Sequence, residues 1–124
     1  MLTTQQFSML SGLPGAFRLY FLYENGKSRA QDFLFGLQER DQSKLIRLIQ
    51  FVETNGLPKN PEKYKKLTRH ENLHELKSDQ ARLLFFTMGK EIVFTVGFKK
   101  DQWETPPEEI ERAERLRREW LNQK

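Results

Sequence analysis

The sequence of 124 residues contains no cysteine. That excludes structural disulfides, thiolate metal sites and a cysteine nucleophile. It has no apolar run near the roughly 20 residues that carry a helix across a bilayer. Residues 1–15 lack the basic-then-apolar layout of a secretory signal. These absences together point to the cytoplasm. Histidine is scarce: His70 and His74 are the only two, four residues apart. That spacing could make a metal pair on a helix, but the stretch around His74 reads as a strand and no third ligand stands out. No metal site and no cofactor are expected. Internal repeats, low-complexity tracts and dividing linkers are also missing, and a chain of this length makes about one domain.

Hydrophobic residues make up 37% of the chain and charged residues 31%. This is the balance of a folded globular domain rather than a disordered segment. The net charge is +4, and its distribution is uneven. Between Lys59 and His70 stand five bases, Lys59, Lys63, Lys65, Lys66 and Arg69, against the single acid Glu62. Elsewhere the charges roughly cancel. Local positive charge of this kind attracts polyanions such as RNA, or an acidic protein partner. A solvated basic loop fits the same pattern.

The order of elements follows from hydrophobic period and punctuation. Residues 1–15, broken by Gly12, Pro14 and Gly15, read as a flexible N-terminal arm, with the domain proper over 16–124. Residues 17–23, rich in aromatics, suit a first strand, and Glu24-Asn25-Gly26 a turn. Ala30, Phe33, Leu34 and Leu37 give one helix an apolar face. Residues 38–41 mark a break. Leu45, Leu48, Ile49 and Val52 define a second helix that stops at Asn55-Gly56, so the pair should fold back as a hairpin. Past the basic loop the period shortens, and residues 73–77, 81–87 and 92–98 read as an antiparallel meander with turns at Ser78-Asp79 and Gly89-Lys90. The run 92–96 is the most continuously apolar and suits a central strand. Thr105-Pro106-Pro107-Glu108 carries the marks of a helix start, with threonine as cap and glutamate completing a capping box. Ile110, Ala113, Leu116 and Trp120 form that helix's apolar stripe. The expected fold is α+β, in the order β-α-α-β-β-β-α.

Several of these segments together carry a resemblance. Tyr64-Lys65-Lys66-Leu67, Leu73-His74-Glu75-Leu76-Lys77 and Ala81-Arg82-Leu83-Leu84-Phe85-Phe86 are followed in order by Ile92-Val93-Phe94, Gly97-Phe98-Lys99-Lys100, Thr105-Pro106 and Glu109-Ile110-Glu111 with Ala113. No one piece is specific, but the ordered set, spanning roughly residues 17–120, resembles the phage-derived RelE/HigB-like toxins. The resemblance implies a RelE-like fold, with a twisted antiparallel sheet, an N-terminal helical hairpin and a C-terminal helix. It implies a type II toxin-antitoxin toxin that cleaves mRNA on the ribosome and inhibits translation. The partner it implies is a cognate antitoxin encoded alongside, of the helix-turn-helix kind. Two positions depart from the family pattern. Lys77 stands where arginine is common, losing a planar two-pronged grip on phosphate, and Asp101 stands where a second base often follows Lys100. A non-catalytic phage or host-interaction protein on the same fold, binding RNA or a protein target, is the alternative.

Metal-free cleavage of the kind the resemblance implies lets the ribose 2′-oxygen attack the adjacent phosphorus. It needs a proton acceptor, cations for the phosphoryl oxygens and a proton donor for the leaving 5′-oxygen. Arg82 is the first candidate, because guanidinium matches phosphate geometry. Lys77 stands across a turn from it, so the two could converge on one phosphate. Lys100 and Lys66 come next, and His70 is a candidate general base. Lys65, Lys66, Arg69 and Lys99 are candidate RNA-binding bases. Trp103 could stack on a nucleobase or cap the core. Glu75 reads as an ion-pair neighbour of Lys77, and His74 as a hydrogen-bonded residue of the sheet.

Overall fold

The computed structural model describes residues 1–10, 15–67, 69–70, 72–101 and 105–123. Nine elements follow one another: β1 (Leu2–Phe7), β2 (Arg18–Glu24), α1 (Arg29–Gly36), α2 (Glu39–Asn55), β3 (Tyr64–Lys66), β4 (His74–Ser78), β5 (Ala81–Met88), β6 (Glu91–Lys99) and α3 (Pro107–Asn122). The six strands form one sheet in the order β1-β2-β6-β5-β4-β3. The α+β class, the helical hairpin, the meander and the terminal helix agree with the sequence reading. The interior place of β6 also agrees.

Three expectations are corrected. Leu2–Phe7 is a strand rather than part of a loose arm, pairing antiparallel with β2 from Leu2 opposite Glu24 to Phe7 opposite Leu19. Its polar sequence suits a sheet edge, where one side of the backbone faces solvent, and the Phe7 ring anchors it by stacking on Phe21 at 3.9 Å. The middle of the basic segment is the short strand β3, held antiparallel to β4. The sheet is mixed rather than antiparallel, because β2 runs parallel to β6. The order is therefore β-β-α-α-β-β-β-β-α.

Period-two alternation sorts the strand residues onto two faces. Leu83, Phe85, Ile92 and Phe94 pack with Ala30, Leu34, Leu45, Ile49 and Val52 of the hairpin. Leu84, Phe86, Val93, Val96 and Phe98 pack with Ala113 and Leu116 of α3. The sheet is thus a middle layer between α1–α2 and α3. A bulge shifts the register between Leu84 and Phe85, opposite Val96 and Phe94, leaving Thr95 unpaired in β6. Its hydroxyl donates to the Leu84 carbonyl at 3.1 Å, so the irregularity leaves no orphaned hydroxyl. Beyond it Gly97 lies against Phe33 of α1, where a Cβ would come within 2.4 Å of the ring.

Local chemistry explains most boundaries. Asn25 and Gly26 both have positive φ, as a two-residue turn of the primed type requires. Ser28 caps α1 by accepting from the Gln31 N–H at 3.1 Å. Gly56 ends α2 at φ 94°. The break between the first two helices is tighter than expected, since α2 already begins at Glu39. At α3 the expected capping box does not form: Pro106 is the cap residue and no side chain caps the helix. The Thr105 hydroxyl is committed to the sheet instead.

Candidate functional site

Residues directly opposite each other in neighbouring strands share a face. Lys65 of β3 lies opposite Glu75 of β4, Lys77 lies opposite Arg82 of β5, and Arg82 lies opposite Phe98 of β6. Since Phe98 packs towards α3, these side chains emerge on the α3 face of the sheet. The register thus sets Lys77 and Arg82, which the turn between them made candidates to meet one phosphate, directly opposite each other. That turn is centred on Asp79 and Gln80, with Asp79 at φ 53°. Lys100, just past β6, is tied to the same corner by its N–H, which donates to the Gln80 carbonyl at 2.7 Å.

Beneath these cations sits a buried carboxylate. Glu75 is 0% exposed, and its Oε2 accepts from the Thr105 hydroxyl at 2.7 Å. Its Oε1 lies 3.9 Å from Arg82 Nε, close enough for attraction and too far for a hydrogen bond, and neither of these atoms has a hydrogen-bond partner. Arg82 Nη1 donates to the carbonyls of Asp79 at 2.5 Å and Ala81 at 2.9 Å. Burial lowers the Arg82 guanidinium from its usual value while Glu75 raises it. Lys77 is also pulled down, first by burial, then by Arg82, Lys65 and Lys100, with Glu75 opposing. Buried Glu75 thus lies among the bases Lys65, Lys77, Arg82 and Lys100 on this face of the sheet. The sequence reading made Glu75 a neighbour of Lys77 and did not recognise it as the buried centre. Sequence parity could not single it out, since Leu73 on its own face and Leu76 on the opposite one are both buried.

The other candidates divide. His70 accompanies the cationic face, pairing through Nδ1 with Glu114 of α3. It lines a groove of about 450 Å³ with Lys65, Arg69, Thr105 and Ile110. Because Thr105 bonds Glu75 and Lys65 lies opposite it, this groove adjoins the cluster. Lys66 and Lys99 lie apart from it. Lys66 opposes His74, whose ring stacks on Phe85 on the hairpin face at 5.0 Å. Lys99 opposes Ala81, also of the hairpin side, and lines a small hollow there with Leu37 and Asp41. Trp103 lies outside the described residues. Among the described residues no group of three or more His, Asp or Glu side chains could hold a metal ion.

His74 has the hydrogen-bonded sheet role read from sequence, in a network that the sequence did not disclose. Asn72 holds Thr87 from both ends of its amide: Nδ2 donates to the Thr87 carbonyl at 2.7 Å, and Oδ1 accepts from the Thr87 N–H at 3.1 Å. That fixes Oδ1 as an acceptor, so His74 Nε2, 3.0 Å away, is the donor. His74 Nδ1 then accepts from the Tyr64 hydroxyl at 2.7 Å. The ring is neutral, and its pKa is lowered to about 4 by burial and by Lys66. This network pins β3 to β4 and so places Lys65 over Glu75.

Fold and site define a small α+β protein with a compact cationic cluster on one face of a mixed sheet. A profile of the phage-derived protein Gp49-like family matches residues 32–118. The match runs from inside α1 into the last turns of α3, and the chain belongs to that family. None of the curated proteins compared matches it. Among the described residues, no helix is long and apolar enough to cross a membrane.

Proposed function

We propose that this Gp49-like protein is the toxin of a type II toxin-antitoxin system, a metal-independent endoribonuclease that cuts mRNA on the ribosome in the cytoplasm. The observation that carries the reading is the register pairing of Lys77 with Arg82 above buried Glu75, flanked by Lys65 and Lys100. A scissile phosphate needs fixed positive charge where its oxygens gain negative charge, and two cations held by strand pairing supply it without reorganisation. Arg82 stays charged at any physiological pH and serves to hold the phosphoryl oxygens. Lys77, with its ammonium made more acidic by burial and neighbouring cations, is the proton donor to the leaving 5′-oxygen. His70, in the adjoining groove and paired with Glu114, is the candidate acceptor of the 2′-hydroxyl proton. Lys65 and Arg69 flank the path of the strand. A cognate antitoxin, a helix-turn-helix protein encoded beside this chain, would neutralise it.

Induced expression with mapping of mRNA 5′ ends tests the reading. The wild type should arrest growth and create new 5′ ends, and Arg82→Ala should do neither. Arg82 also bonds the turn backbone, so Lys77→Ala serves as the second variant, with thermal unfolding to show that it folds. A wild-type protein that neither slows growth nor cuts mRNA would overturn the proposal. Salt-dependent RNA binding without cleavage, even with ribosomes present, would favour a binding protein on the same fold.

A further inference from the structure

Another concavity lies away from the cationic face. It is a groove of about 510 Å³ between the outer side of α2 and the segment linking α2 to β3. Leu48, Phe51 and Pro58 supply its apolar lining. Phe51 is 47% exposed, an exposure that would mean little for one ring on a convex surface. Here the ring sits in a hollow with basic residues on both sides, Arg47 on the helix and Lys59 and Lys63 on the segment. The single acid in the lining, Asp79, is held by Lys44 at 2.9 Å.

The walls are shaped before anything binds. The Asn60 carbonyl accepts from the N–H groups of Lys63 and Tyr64, and its side chain accepts from the Glu62 N–H at 2.9 Å. The Lys63 carbonyl in turn accepts from the Lys77 N–H at 2.9 Å, fastening the segment to β4. A preformed groove spares its occupant the cost of ordering the protein side.

We propose that this groove docks an acidic peptide segment of a separate protein, inserting one aromatic or aliphatic side chain against Leu48 and Phe51 and setting carboxylates against Arg47, Lys59 and Lys63. The occupant follows from the chemistry on both counts. An apolar floor asks for an apolar side chain, and bases on opposite rims that form no salt bridge among the described residues ask for negative charge on both sides of it. An RNA strand would answer the rims but would leave the apolar surface of Leu48, Phe51 and Pro58 to face its charged backbone.

The test is a selection of random 12-residue peptides on the folded full chain, with the winners measured by fluorescence anisotropy. Enriched peptides should carry net negative charge around an aromatic or aliphatic anchor. They should bind Phe51→Asp and Arg47→Glu at least tenfold more weakly, and Lys77→Ala as tightly as wild type. Both surface variants leave the core untouched, and their thermal unfolding should match the wild type. No enrichment, neutral or basic winners, or equal binding to Phe51→Asp would overturn the proposal. So would a single-stranded RNA oligonucleotide that displaces the peptides and depends on the same two residues. Cleavage activity enters none of these readouts, so the docking surface stands or falls apart from the ribonuclease reading.

Discussion

The residue with the most legible electrostatics is His74. Its folded-state pKa of about 4 lies below the ordinary 6.5. Between these values the unfolded chain takes up a proton that the folded chain refuses, so falling pH favours unfolding. The stability contributed by the neutral ring is complete above about pH 6.5 and is lost as pH drops towards 4, by at most about 3 kcal/mol. Urea unfolding between pH 4 and 7 should therefore show a steeper loss of stability in the wild type than in His74→Gln, which has no titrating ring. Equal slopes would show that the Tyr64–His74–Asn72 network does not set the difference. The sequence placed His74 on a strand but could not show its tautomer, because that depends on Asn72 holding Thr87 fifteen residues away. Glu75 was legible only as a neighbour of Lys77: both faces of its strand are covered, and its bond to Thr105 spans thirty residues.

At the scale of elements, what was readable was what local chemistry decides. Gly56 could be named as the stop of α2, and the apolar run of β6 as an interior strand, because each rests on a few neighbouring residues. The β1 strand was not readable: Thr3, Thr4, Gln5 and Gln6 carry no hydrophobic alternation, and the strand exists because β2 offers an open edge and Phe21 a ring to stack on. The absent cap at Thr105 has the same cause in reverse, a local signal overridden by a distant carboxylate. Packing between layers sets a further limit at Gly97. Replacing it by alanine drives a methyl group into the Phe33 ring and should cost about 1–3 kcal/mol, the usual range for overpacking. Denaturant unfolding of Gly97→Ala, Phe33→Ala and the double variant checks the cause, since relief of the clash makes the double less destabilised than the sum of the singles.

For the whole molecule, the +4 surplus read as one basic segment turns out to be shared among surfaces of different kinds. Lys65 of that segment joins Lys77, Arg82 and Lys100 on the α3 face, whereas Lys59 and Lys63 line the groove beside α2. A linear map of charge could not make that division, because it follows from β3 pairing with β4 and leaving Lys59 and Lys63 before it. If the four cations of the α3 face each meet a phosphate, the logarithm of RNA affinity should fall with log salt at a slope of about −3, at roughly −0.7 per single-strand contact. Lys77→Ala should bring that to about −2, whereas Lys59→Ala should leave it unchanged; anisotropy titrations from low to moderate salt decide. A slope that responds equally to both would mean that RNA spreads over both surfaces.

Asp79 belongs to both of these surfaces. Its carboxylate is held by Lys44 at the groove, and its carbonyl accepts from Arg82 at the cationic face. It does so from a left-handed turn at φ 53°, a conformation that few residues other than glycine hold readily. If an occupant of the groove drew Lys44 off Asp79 and the turn shifted, the Asp79 carbonyl that holds Arg82 would shift with it. Thermodynamic reciprocity then fixes the traffic in both directions: whatever factor an occupant of the groove imposes on anion affinity at Arg82, the anion imposes on the occupant.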